Sequence, residues 1–303
     1  MPDNPLTPPA QPRLIDNVPL VVIFLLISDS LHFIFARLLL PYLPPTTSSL
    51  YVLSIATIEM AIFTMFWGRI RLAVLRRYFW FFLTIGFLIA ASTALTYISV
   101  AYVDPGTASL LSKTAVVFGL GFGIIWLRER LTTFESLGAL VALAGTFIIT
   151  FQPGDYLRLG SLIVVASAIL YSLHTALVKR QDGDMSLVEF FLFRLVCTTG
   201  FLILFTASRG ELVRPTAWQA WLFLILTGTV DVTVSRGLYY LALRRLTLSH
   251  HSLILTLSPV ASIVWTLLLF GFSPTVQQLV GGAAILAGVL MVTVGKERVM
   301  RKA

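Results

Sequence analysis

Apolar residues in this chain come in ten runs separated by short polar breaks, at roughly 18–40, 48–67, 79–101, 106–127, 134–151, 159–178, 189–207, 218–243, 248–270 and 276–295. A helix needs roughly 20 such residues to cross the hydrocarbon of a bilayer, and helical hydrogen bonds satisfy its backbone where no water can. Period-two alternation, the mark of a membrane barrel, is absent. Composition agrees: the chain is 57% hydrophobic and 12% charged, with a mean hydropathy of +0.89, whereas soluble domains are about 45–50% apolar. The expected fold class is therefore an all-α membrane protein of ten transmembrane helices.

Residues 1–17 read as a disordered tail, rich in proline and polar side chains, and 296–303 as a basic tail. The start of the chain lacks the basic opening and small-residue cleavage site of a signal peptide. If the N-terminus is cytoplasmic, the inner side holds fifteen basic residues: Arg13, Arg69, Arg71, Arg76, Arg77, Arg128, Arg130, Lys179, Arg180, Arg244, Arg245, Lys296, Arg298, Arg301 and Lys302. The outer loops hold three, Arg158, Arg209 and Arg214. Retention of Lys and Arg on the cytoplasmic side then places both termini inside. The net charge of +8 sits in loops and forms no single folded basic face, so nucleic acid is not an expected partner. With Cys197 as the single cysteine, no internal disulfide or thiolate metal site can form.

A shift of 143 positions pairs Leu95 with Leu238, Tyr97 with Tyr240, Ser109 with Ser252, Val117 with Val260, Gly138 with Gly281 and Gly145 with Gly288. Ser30-Leu31-His32 recurs as Ser172-Leu173-His174 at a shift of 142. One register held over three consecutive helices indicates duplication, with repeats over 18–151 and 152–295. Five helices per copy is an odd number, so the second copy begins on the opposite side of the membrane and the repeats are inverted. Inverted repeats suit a carrier, because a site between them can open to either side.

Two passages carry a family resemblance covering about residues 18 to 295. Trp126-Leu127-Arg128-Glu129-Arg130-Leu131-Thr132, followed by Gly138 and Ala144-Gly145, resembles the Gly-Glu-Arg-Leu-Thr turn and glycine-bearing helix of the EamA-type members of the drug/metabolite transporter superfamily. Arg128 replaces the usual glycine. Leu257-Ser258-Pro259-Val260, followed by Gly271, Gly281 and Gly288, is similar to that family's interrupted helix nine, with Phe272 where a glutamate usually falls. Val116 stands at the matching proline position of the first half, so a straighter helix four is expected. The resemblance implies a gradient-linked carrier, often an exporter, of amino acids, nucleobases or other small organics.

Charged groups inside a bilayer line cavities or pair with one another. Asp29 and His32 lie three apart on helix one, Glu59 on helix two, Lys113 on helix four, and His174, Arg194, Asp231 and Arg236 in the second half. Asp29 with His32 is a couple suited to proton transfer, or equally to a static buried pair. Glu59 is expected to pair with Arg194 across the repeats. Asp231, in the polar run Thr227–Arg236, either faces a cavity or ties helices together through Arg194 or Lys113. Arg236 lies four residues before Tyr240, as Thr93 lies before Tyr97, so each pair shares a helical face; the tyrosines line a symmetric cavity or pack structurally. His174 lacks an acidic neighbour and reads as a core hydrogen-bonding residue. Gly119, Gly121, Gly123, Gly281, Gly282 and Gly288 are expected to permit close helix packing.

No phosphate-binding loop or His-Glu-x-x-His motif occurs, and neither a cofactor nor a metal is expected. The expected function is a secondary active transporter of a small metabolite such as an amino acid, in a bacterial inner membrane. Substrate would meet Lys113, Arg194, Asp231, Arg236, Tyr97 and Tyr240, and protons Asp29, His32 and Glu59. The alternatives are a membrane-embedded enzyme using Asp29 and His32 on a lipid-linked substrate, and a non-transporting scaffold.

Overall fold

The computed structural model describes residues 18–67, 70–127, 132–152, 156–157, 159–181, 185–238 and 248–300. Its helices are α1 (Val18–Ser30), α2 (His32–Leu39), α3 (Pro45–Trp67), α4 (Leu72–Arg77), α5 (Phe79–Ser99), α6 (Pro105–Ser112), α7 (Ala115–Leu127), α8 (Thr133–Thr150), α9 (Leu159–Arg180), α10 (Leu187–Ser208) and α11 (Trp218–Leu226). A π-helical segment, Thr227–Val234, continues α11, and α12 (Leu248–Phe270) and α13 (Val276–Met300) complete the described chain. A two-residue antiparallel pair, β1 (Phe151–Gln152) with β2 (Tyr156–Leu157), stands where the sequence suggested only a loop between the halves.

Among the described residues, eight helices are long and apolar enough to cross a membrane: Pro45–Phe66, Phe79–Ser99, Pro105–Trp126, Thr133–Thr150, Leu159–Arg180, Leu187–Ser208, Trp218–Leu238 and Val276–Val294. The first expected span is instead divided at Leu31 into helices of 13 and 8 residues, each too short to cross alone at about 1.5 Å per residue. In the ninth, α12 runs over 23 residues, and its described apolar part is Leu257–Phe270.

Helix four is not the straighter copy. It breaks at Lys113 and Thr114 between α6 and α7, whereas α12 runs on with Pro259 inside it. Ser112 Oγ donates to the Ser109 carbonyl and Thr114 Oγ1 to the Leu111 carbonyl, each at 2.7 Å. Hydroxyls that bond back onto their own helix bend it, so the bend does not require proline.

The tightest packing joins α8 and α13 through four glycines related by the repeat shift. A methyl group on Gly145 would lie 2.5 Å from the Gly281 carbonyl oxygen, and one on Gly288 2.5 Å from the Gly138 carbonyl oxygen. Since Gly138 meets Gly288 and Gly145 meets Gly281, the two helices run antiparallel. Lipid supplies no hydrophobic force between helices, so close backbone approach and hydroxyl bonding take its place. Ser92 and Thr96 of α5 accordingly bond Ser167 of α9 at 2.9 and 2.8 Å. At Gly119 and Gly121, by contrast, an added methyl group would meet nothing within 4 Å, which corrects their expected packing role; the backbone around them faces open space and not a neighbouring helix.

Helices α3 and α10 are also antiparallel and clasped at both ends. Thr57 Oγ1 and Thr199 Oγ1, 142 positions apart, hydrogen-bond at 2.9 Å midway along. At one end Arg71 donates its backbone N–H and its Nε, both at 3.0 Å, to Glu189 Oε1 and its second guanidinium nitrogen to Oε2. At the other, Thr46 and Thr47 donate to the Glu211 carboxylate and carbonyl. Glu211 lies beyond the spanning part of α10, and the Thr46 hydroxyl, with Arg209, holds its carboxyl below the usual range. Capping boxes at Thr132/Glu135 and its repeat counterpart Thr275/Gln278 start α8 and α13 in the same way.

Gly145→Ala should destabilise the protein by about 1–3 kcal/mol through overpacking of the seam. Gly200→Ala, on an exposed face of α10 with nothing within 4 Å, should be neutral or stabilising by up to about 1 kcal/mol. Thermal unfolding in detergent measures both.

Candidate functional site

The irregular stretches of backbone carry the ionisable side chains. Asp29 and His32 flank the turn at Leu31, Lys113 caps α6 at the break in helix four, and Asp231 lies in the π segment. Near Leu31, Ser28 Oγ and Ser30 Oγ donate to the Leu25 and Ile27 carbonyls at 3.1 and 2.7 Å. The Ser30 carbonyl in turn accepts from Ser262 Oγ at 2.6 Å, and Ser30 Oγ from Trp265 Nε1 at 3.1 Å. In the π segment, Thr233 Oγ1 lies 3.2 Å from the Gly228 carbonyl oxygen, five residues back. Interrupted helices at membrane depth are tolerated where protein covers them or where they line a water-filled cavity, and π segments recur at functional sites.

His32 Nδ1 lies 2.7 Å from Asp231 Oδ2, joining α2 to the π segment across 199 residues. Asp231 is buried while His32 is one-third exposed. Lys113 Nζ lies 3.6 Å from Asp29 Oδ2, joining α6 to α1. Glu59 of α3 accepts from Thr229 Oγ1 at one carboxylate oxygen and from Thr233 Oγ1 at the other, both at 2.5 Å.

These contacts bear on three expectations. Asp29 and His32 each also take a partner from a different helix, because the turn at Leu31 ends one helix and starts another. Asp231 bonds His32, a partner that neither of its expected roles, facing a cavity or tied to Arg194 or Lys113, had named. Glu59 places both oxygens on Thr229 and Thr233 of the π segment, a contact that the expected pairing with Arg194 did not include.

Tyr97 is fully buried, at 1% exposure, and its hydroxyl has no hydrogen-bond partner among the described residues. It feels the charge of Asp231. His174, where a core hydrogen bond was expected, is buried as well, and neither ring nitrogen has a partner among the described residues. Its electrostatic neighbours are Arg194 and Arg236, and its ring lies 5.8 Å from that of Tyr171. Arg194 lies over the ring of Phe191 at 4.5 Å. Arg236 also interacts with Asp29 and His32. One electrostatic network thus gathers Asp29, His32, Tyr97, Lys113, His174, Arg194, Asp231 and Arg236. Glu59 joins it through the π segment, and Tyr240 lies outside the described residues.

Sequence reading missed Thr229, Thr233 and the open hydrogen-bonding capacity of His174. The signal for the threonines was present, as the unusual polarity of Thr227–Arg236. Among the described residues no group of three or more His, Cys, Asp or Glu could hold a metal ion. Chemically, the network offers one carboxylate beside a lysine, one bonded to a histidine and a third on hydroxyls, with two arginines near an imidazole that has no hydrogen-bond partner among the described residues.

Neutralising one member of Lys113–Asp29 leaves the other charge unpaired at membrane depth. A fully buried pair would lose about 3–5 kcal/mol on such a change; this one is partly exposed, so Lys113→Met or Asp29→Asn should each cost about 1–3 kcal/mol. The double variant should be more stable than the worse single variant, and thermal unfolding of all four proteins measures the coupling.

The profile described as the EamA-like transporter family matches residues 18–151 and again 158–294. The chain is 26% identical over 193 residues to the Bacillus subtilis protein named "Uncharacterized transporter YdfC", a match spanning 62% of this chain and only 62% of that relative. It is 27% identical over 203 residues to a "Probable terminal-alkyne amino-acid exporter" of Streptantibioticus cattleyicolor, covering 65% of this chain and 68% of that one. A solved crystal structure superposes with a TM-score of 0.62 at 19% identity, over 91% of this chain and 97% of the other, which shows a shared fold. With both halves matched, this multi-pass membrane protein belongs to the EamA-like transporter family.

Proposed function

We propose that the protein is a secondary active transporter that exports a small zwitterionic metabolite, of amino-acid type, by alternating access. The observation that carries this reading is the His32–Asp231 pair: it joins the two family-matched halves at a broken helix and a π segment. In this reading the chain makes ten passes, as inverted five-helix repeats over 18–151 and 152–295, between cytoplasmic tails 1–17 and 296–303 in a bacterial inner membrane. The strap that bears Arg71, Arg76 and Arg77 and the basic end of α9 then lie inside, by the retention of basic residues.

Substrate engages the network by partner exchange. A substrate ammonium takes Asp231, and a substrate carboxylate takes Lys113, Arg194 and Arg236, with the hydroxyl of Tyr97 and the ring of His174 supplying neutral hydrogen bonds; Tyr240, the counterpart of Tyr97 under the 143-residue shift, is assigned the same role from the sequence. Arrival of a proton at His32, Asp29 or Glu59 weakens the contacts between halves and allows them to rock. The differential stability of such contacts in the two states is what lets a gradient drive the cycle. The amino-acid exporter among the relatives supports the substrate class, and the family membership supports transport over catalysis.

In proteoliposomes, the protein should exchange labelled amino acids and accumulate them under an imposed pH gradient. Asp29→Asn and His32→Gln should retain exchange and lose gradient-driven accumulation, whereas Asp231→Asn should weaken exchange itself. Unchanged accumulation in both Asp29→Asn and His32→Gln overturns the proton assignment, and transport of neutral nucleobases with no amino-acid exchange overturns the substrate class.

A further inference from the structure

A cleft of about 620 Å³ opens where the chain runs from Arg76 to Phe81, with Gln181 closing its far side. Its position in the bilayer follows from its neighbours. The apolar span Pro45–Phe66 ends before it, the span Phe79–Ser99 begins within it, and the span Leu159–Arg180 ends one residue before Gln181. The cleft therefore sits at the boundary between hydrocarbon and water.

Its chemistry is of two kinds. Arg76 and Arg77 are exposed, Arg77 lies 5.4 Å from the centre of the Tyr78 ring, and among the described residues no acidic side chain lines the cleft. Trp80 and Phe79 of its lining are exposed, Trp80 to 79%, and Leu72 at the start of α4 and Met65 and Phe66 at the end of α3 are exposed apolar side chains on the flanking elements. Guanidinium groups match a phosphodiester geometrically, and tryptophan and tyrosine favour headgroup depth. A free phosphate would use the arginines alone and leave the surrounding apolar surface without an occupant. A lipid uses both, with its headgroup in the cleft and its acyl chains along α3 and α5.

We propose that this cleft binds the headgroup of an anionic phospholipid. The site stands apart from the network of buried charges and does not rest on the transport reading. It lies on the strap between α3 and α5, and that strap includes Arg71, which clasps Glu189 of the second half. An occupied cleft thus bears on the connection between halves.

The test is native mass spectrometry of the full chain in nonionic detergent, titrated with short-chain phosphatidylglycerol, phosphatidylcholine or inorganic phosphate. Phosphatidylglycerol should bind saturably and more tightly than the other two. Arg76→Gln with Arg77→Gln should weaken it about 30-fold, from about 1 kcal/mol per basic residue at an anionic surface, with phosphatidylcholine binding unchanged. Should the double variant not fold, Gln181→Glu, which sets a negative charge in the cleft wall, should weaken phosphatidylglycerol selectively. Equal binding of the two lipids, undiminished phosphatidylglycerol binding in the variants, or inorganic phosphate binding as tightly as the lipid each overturns the proposal.

Discussion

Ionised groups are costly inside hydrocarbon, and the centre of this protein is organised around keeping its carboxylates in company. Asp29 finds Lys113, Asp231 finds His32, and Glu59 finds two threonine hydroxyls. None of these contacts lies within one helix, so satisfying the charges also fixes how helices are set against each other. The backbone yields where the charges sit: helices one and four break beside Asp29, His32 and Lys113, and helix eight widens into a π segment around Asp231. Hydroxyls bonded back to the preceding turn cover the carbonyls that these irregularities release.

Around that centre the two halves meet by contacts that repeat under the same shift of about 143 positions. The Thr57–Thr199 bond between α3 and α10 joins equivalent positions, while in the seam between the equivalent helices α8 and α13 each glycine meets the counterpart of the other, Gly138 with Gly288 and Gly145 with Gly281. The seam is rigid, because methyl-sized additions strike backbone. The charged contacts are different in kind, since an ion pair can exchange partners with a proton or a polar ligand without repacking a helix. A carrier of the proposed type needs both sorts of contact: fixed ones to hold the halves together, and exchangeable ones to let them respond.

The residues at the centre were legible because an ionisable side chain inside an apolar run is conspicuous. Their pairing was not. Asp29 and His32 share a helical face on paper, but Leu31 is a turn, and the divided helix sends them to different neighbours. His174 looked like a satisfied core histidine from its apolar surroundings, yet both nitrogens lack partners among the described residues, since hydrogen bonding depends on what other helices bring within about 3 Å. Glycines show the same limit: Gly121 and Gly145 both lie in apolar helices, and of the two only Gly145 packs against another backbone.

The sequence by itself determined the all-helical membrane character, the duplication and the set of charges inside the apolar runs, because hydropathy, register and charge are properties of the chain read along its length. Tertiary structure alone decided where helices break, which glycines pack and which charge answers which. Those outcomes depend on the rotation and depth of each helix against its neighbours, and partners as far apart as His32 and Asp231 meet only once the helices are packed.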